Sequence, residues 1–191
     1  MPIRSGKAHN NRKTLTQRKE PIMKRILLML VGLILLATPA MAGSGDGKTF
    51  LIHAKTSMSI DDAQICAVPN VAWAALAKGY KVTILFDASG VTALKKGGMF
   101  GGDKSPLDKA DLPERERQSL VAQLGIPLNE VPHDYGEYVR FLGQKGVELY
   151  ANQTMMLLYK IGNDEIEAAV KPIGLKMMVE LLENPDVYVA Y

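Results

Sequence analysis

Chemistry in this chain has few places to start, because the 191 residues include one thiol, Cys66. A single cysteine excludes an internal disulfide and makes Cys66 the one candidate catalytic nucleophile of its kind. It lies shortly after the first compact apolar run, on the opening turns of an expected helix. Facing the helix mouth it would gain thiolate character from the dipole; set between Ile65 and Ala67 as a small apolar residue it would be buried and inert. Both readings stand on the sequence. The second candidate is Asn152, between Ala151 and Gln153. It follows an expected strand and precedes an expected helix, so it can cap that helix. It also stands at the carboxyl end of a strand, where ligands bind in open parallel sheets. Ser57, in the loop after the first strand, Asp87, near the end of the second, and Thr154, beside Asn152, are the accompanying candidate ligand contacts.

Other residue groups point less far. Met155-Met156 and Met177-Met178 supply thioethers of the kind that bind Cu(I), but neighbours on a helix face different directions, and methionine is a common core filler. His53 reads as a satisfied residue on a buried strand and His133 as a loop residue; they form no spaced ligand set. The pairs Gly97-Gly98 and Gly101-Gly102 flank Met99-Phe100 without the strand-to-helix placement of a phosphate loop, and read as a flap over the sheet edge or a plain loop. The sequence therefore predicts neither a metal site nor a cofactor.

The elements that must hold these residues alternate in type. TFLIHAK (49–55) is a compact apolar strand, and Asp61 or Asp62 can cap a helix running to Lys78-Gly79. Pro69 either kinks that helix or opens a new one. KVTILFDA (81–88) is β-branched and apolar almost throughout, as expected where both sheet faces are covered. After a turn or two at 91–96, Gly97 to Lys109 is rich in Gly, Pro and charge and reads as a mobile loop. Helices are expected over 112–124, 134–145 and 153–161, a short one over 164–170, and another over 175–183. VELYA (147–151), the segment 171–174 and VYVAY (187–191) are the remaining strands. Alternating strand and helix specify a parallel sheet with helices on both faces, an α/β three-layer flavodoxin-like domain of about five mainly parallel strands.

The region before residue 49 reads differently. MKRILLMLVGLILLATPAMA (23–42) has basic residues, an apolar run of about a dozen and a small-residue end, the layout of a signal peptide. That run is too short to span a bilayer comfortably, although an uncleaved N-terminal anchor is the alternative. Residues 1–22 are polar and basic, an over-extended start or an extended leading region, and 43–48 (GSGDGK) a flexible leader. Export predicts a periplasmic or secreted protein that meets the membrane only through its signal peptide. Eight of the 23 Lys and Arg lie at or before Arg25, leaving 15 against 19 Asp and Glu from Gly43 onward, a net charge of −4. A mildly acidic body argues against nucleic acid as a partner.

Three blocks resemble the DsrE/DsrF-like sulfur-relay family: WAALAKGYKVTILFDASGV (73–91), GVELYANQTMMLLYKIG (146–162) and AVKPIGLKMMVELLENPDVYVAY (169–191). They come in that family's order and together cover most of residues 49–191. The resemblance implies a DsrE-like domain, a homo-oligomer, and sulfur carried as a cysteine persulfide where the third long strand meets its helix, with a sulfur-donor or acceptor protein as partner. The position matching that cysteine is Asn152, which has no sulfur. Two expectations follow. In one, Cys66 replaces the missing thiol from a neighbouring element; in the other, the domain is a non-catalytic binding or assembly module using the crevice near Asn152.

Overall fold

The computed structural model describes residues 44–97 and 102–191. Its strands are β1 (Thr49–Ala54), β2 (Lys81–Phe86), β3 (Glu148–Asn152), β4 (Lys171–Ile173) and β5 (Val187–Ala190). All neighbours pair in parallel, in the order β4-β3-β2-β1-β5. The helices are α1 (Asp62–Ala77), α2 (Glu114–Leu124), α3 (Tyr135–Gln144), α4 (Gln153–Leu158) and α5 (Leu175–Glu183), with 3-10 turns at Ala88–Leu94, Leu107–Lys109, Leu128–Glu130 and Asn163–Glu165. The result is an α/β, three-layer, flavodoxin-like arrangement.

Strand periodicity decides what each face buries. Ile52, Ala54, Val82, Ile84, Phe86, Leu149 and Ala151 share one face and join the larger core with α1 and α3. Leu51, Leu85, Tyr150 and Ile173 share the other and pack beneath Met178, Leu181 and Leu182 of α5. Handedness explains the division of labour. The steps β1 to β2 to β3 to β4 move one way across the sheet, so right-handed crossovers set their helices on one face. The step from β4 back to β5 moves the other way and sets α5 on the opposite face.

Local signals end the elements where the chemistry requires. Asp61 caps α1, its carboxylate accepting from the Gln64 N–H, and Asp134 caps α3 by accepting from Glu137 N–H at 2.7 Å. Pro69 lies inside a continuous α1, so no second helix opens there. Gly125 closes α2 in the left-handed region at φ 67°.

Several expectations about loops are corrected. Residues 44–48 form a turn, not a free leader: Gly45 N–H donates to Lys78 O at 3.0 Å, and a side chain at Gly45 would overlap the Tyr80 ring. The stretch before Lys109 is anchored over Ser105–Lys109, because Leu107 is buried and Asp108 accepts from Arg140 at 2.7 Å and from the Ser105 N–H at 2.7 Å. Burial pushes the Asp108 carboxyl up, but the Arg140 guanidinium and the Ser105 hydrogen bonds outweigh it and hold it below the usual range. The helix expected over 164–170 shrinks to the 3-10 turn Asn163–Glu165, and the one over 153–161 ends at Leu158. Gly98 to Gly101 of the expected flap or loop, the leading segment 1–22 and the segment 23–42, read from the sequence as a signal peptide, lie outside the described residues. Among the described residues no helix is long and apolar enough to cross a membrane.

Candidate functional site

Four side chains from four adjacent strands form a diagonal polar row on the α5 face of the sheet. Tyr188 lies on β5, beside Leu51 of β1; His53 follows two residues later on that strand, on the same face. His53 pairs with Leu85 of β2, and Asp87 lies two residues beyond, just past the Phe86–Ala151 pairing and thus beside Asn152 at the end of β3. Period-2 geometry therefore puts all four on one face, with His53 and then Asp87 each a step nearer the carboxyl edge and Asn152 level with Asp87.

The hydrogen bonds give this row a direction. Asn152 Oδ1 accepts from the N–H groups of Thr154 at 2.9 Å and Met155 at 3.4 Å. That fixes the amide, so Nδ2 donates to Asp87 Oδ1 at 2.7 Å and toward Met178 Sδ at 3.2 Å. Asp87 also accepts from Ala88 N–H at 2.7 Å, and its Oδ2 lies 2.9 Å from His53 Nε2. Burial pushes the Asp87 carboxyl up, but the bonds from Ala88, His53 and Asn152 together hold it below its ordinary value of 3.8. An ionised Asp87 can only accept, so a neutral His53 carries its proton on Nε2. Nδ1 is then an acceptor, and the Tyr188 hydroxyl 2.9 Å away donates to it. His53 is 6 % exposed and Asn152 2 %, whereas Tyr188 is 47 % exposed, so the row opens to solvent at its Tyr188 end.

The backbone around Asp87 is built to hold it there. Asp87 N–H donates to Ala54 O at 2.9 Å, and Gly90 N–H to Lys55 O at 3.1 Å and Asp87 O at 2.8 Å. These bonds clamp the exits of β1 and β2 together. Ala88 takes φ 45°, a left-handed conformation that costs a non-glycine residue of the order of 1 kcal/mol and clusters at functional sites. A Cβ on Gly90 would overlap the Ala54 carbonyl oxygen and carbon, which are backbone and cannot yield. Gly90→Ala is expected to lower stability by about 1–3 kcal/mol, measured by urea unfolding. A loss below the error of that measurement would mean that the clamp is loose.

Asn152 also marks the topological switch. β3 leads into α4 on one face of the sheet, and its neighbour β4 leads into α5 on the other. The crevice between such oppositely directed exits is where open α/β sheets hold ligands. The Met178 contact shows α5 reaching the Asn152 side of it.

The sequence candidates are partly brought together. Asp87 and Asn152 touch directly, and Thr154 contributes its backbone N–H. Ser57 stands apart: its N–H donates to Ser89 Oγ at 3.0 Å and its hydroxyl pairs with Ser59 at 2.8 Å, which pins the β1 exit loop. His53, Tyr188 and Met178 were not among the predicted ligand contacts. The apolar strand around His53 signalled burial, but its partners are distant in sequence.

Cys66 lies in the other layer. It lines a cleft of about 540 Å³ beside Met58, Asp62, Asn70, Glu116 and Tyr135. Burial, then the nearby Asp62 and Glu116 carboxylates, push the thiol up to about 11, against an opposing hydrogen bond with Tyr135. Its place in the fifth position of α1 is not the helix mouth that would have lowered it. Glu116 is already engaged, accepting from Asn70 at 2.8 Å and from the Tyr135 hydroxyl at 2.9 Å. Among the described residues no group of three or more His, Cys, Asp or Glu could hold a metal ion.

No protein-family model matches the chain, and no curated protein matches it. Among solved structures, it is similar to the protein of unknown function MTH1491 from Methanobacterium thermoautotrophicum, with a TM-score of 0.50 and 11 % identity over 75 % of this chain and 99 % of that one. At that identity the similarity shows the fold alone, a layered α/β domain.

Proposed function

We propose that this chain is an exported, DsrE-like binding module that works at the crevice near Asn152 without a thiol. One observation carries the reading: at the position where the resembling family places its sulfur-bearing cysteine, Asn152 is committed on every side, to two α4 N–H groups, to Asp87 and to Met178. A residue so fixed ties the end of β3 to α4 and to Asp87 and offers no nucleophile. Cys66 supports the same reading from the other direction, since a thiol pushed up to about 11 is almost wholly protonated at neutral pH. Exposed Leu157, Leu158 and Leu175 (70 %, 69 % and 53 %) supply apolar surface for self-association, the oligomer expected by resemblance.

The test is to offer the folded protein a persulfide donor and weigh it intact, alongside timed alkylation of Cys66. The expected result is no gain of a sulfur atom, and alkylation that is slow at neutral pH in the native state and fast after denaturation. A one-sulfur adduct that disappears in Cys66→Ser would replace this reading with the thiol relay.

A further inference from the structure

We propose that Tyr188 is an activated phenol, a nucleophile with His53 as its base and Asp87 as the residue that positions His53. The geometry is that of an activated nucleophile in general. A hydroxyl lies 2.9 Å from one ring nitrogen of a histidine, and a carboxylate lies 2.9 Å from the other. The two distances fall in the range for proton transfer, about 2.6–3.2 Å. The proton order derived above makes Nδ1 the free acceptor facing the hydroxyl. The reacting end is accessible: Tyr188 is half-exposed on edge strand β5, while His53 and Asp87 behind it are largely shielded from water, at 7 % and 15 % side-chain exposure. A shielded carboxylate behind a histidine stabilises the imidazolium that forms when the hydroxyl gives up its proton.

The step balances on these atoms. The Tyr188 O–H bond breaks and its proton passes to His53 Nδ1. A lone pair of the phenolic oxygen forms a bond to the carbonyl carbon of an ester. The bond from that carbon to the leaving alkoxide or phenoxide then breaks, and its electron pair departs with the leaving group. No oxidant, reductant or further reactant takes part. The electrophile is uncharged, because the Asp87 carboxylate stands behind the site and would repel a phosphate dianion. The inference goes beyond the binding reading and concerns the opposite end of the polar row. A failure to bind ligand at Asn152 leaves the labelling described next unchanged.

The experiment uses p-nitrophenyl acetate on the purified protein, follows release of p-nitrophenolate, and maps acetyl groups by peptide mass. The chain has 7 tyrosines, so the six others serve as internal controls. Tyr188 should acetylate at least about a hundredfold faster than any of them, the low end of what a positioned general base contributes. Tyr188→Phe, at an exposed position, should remove the burst of p-nitrophenolate. His53→Gln should slow acetylation of Tyr188 by a similar factor, and in Tyr188→Phe the rates at the other six tyrosines should stay as they were. Labelling spread evenly over exposed tyrosines, or a rate at Tyr188 that is unchanged in a folded His53→Gln, would overturn the proposal.

Discussion

Asp87→Ala unfolds at a markedly lower urea concentration than the parent protein, with an expected loss of roughly 3 kcal/mol. The carboxylate receives the Asn152 amide, the His53 ring N–H and the Ala88 N–H, and its removal strands all three donors in a largely buried row. The variant also changes the acid limb of stability. The folded carboxyl lies below its ordinary value of 3.8. Its contribution is therefore fully present above that value and is lost as pH falls through the lower, folded one. Without Asp87, the decline in stability below pH 3.8 becomes shallower. Asp108 is shifted in the same direction, so part of the decline persists in the variant. A variant as stable as the parent, with the same acid limb, would mean that the row contributes nothing to holding the sheet edge together.

Trp73→Ala is expected to cost about 3–5 kcal/mol, the usual range for emptying a large aromatic site in a core. Trp73 is 7 % exposed and joins α1 to α3. Its ring meets Tyr138 edge-on, with centroids 5.3 Å apart, and packs tilted against Phe141 at 4.6 Å. This cluster belongs to the larger core, on the face of the sheet away from the polar row. Urea unfolding should therefore show the loss while the labelling rate at Tyr188 in the folded variant stays within about a factor of two, as expected for distant, independent sites. A change in stability below about 1 kcal/mol would show that the neighbouring rings collapse to fill the space.

What the sequence revealed and what it hid divide along sequence distance. KVTILFDA announced a doubly covered strand because it is β-branched and apolar almost throughout, and β2 occupies it from Lys81 to Phe86. Asn152 was legible as a cap because the bonds it accepts come from residues two and three positions on. The same local logic offered Asp61, alongside Asp62, as the cap of α1, and Asp61 is the residue that accepts from Gln64 N–H. His53 was legible only as a buried, satisfied residue. Its partners Asp87 and Tyr188 stand 34 and 135 residues away, and no local pattern encodes which strand exits will meet. Tyr188 was visible as part of a terminal strand. That β5 returns beside β1, and so delivers a hydroxyl to His53, depends on the crossover from β4. Met178 read as filler because a methionine sulfur is a weak and unspecific acceptor. The anchoring of Ser105–Lys109 was hidden for the same reason: Gly, Pro and charge predicted a mobile loop, while the ion pair fixing Asp108 comes from Arg140, 32 residues on.

The direction of the hydrogen bonds in the polar row decides which group can give up a proton, and ring-nitrogen NMR of His53 reads it most directly. With imidazole ¹⁵N labelling, the neutral ring should show its proton on Nε2, facing Asp87, and Nδ1 unprotonated beside the Tyr188 hydroxyl. A proton on Nδ1 in the neutral ring would reverse the row, leave Tyr188 as an acceptor and contradict both the fixed Asn152–Asp87–His53 arrangement and the chemistry assigned to Tyr188.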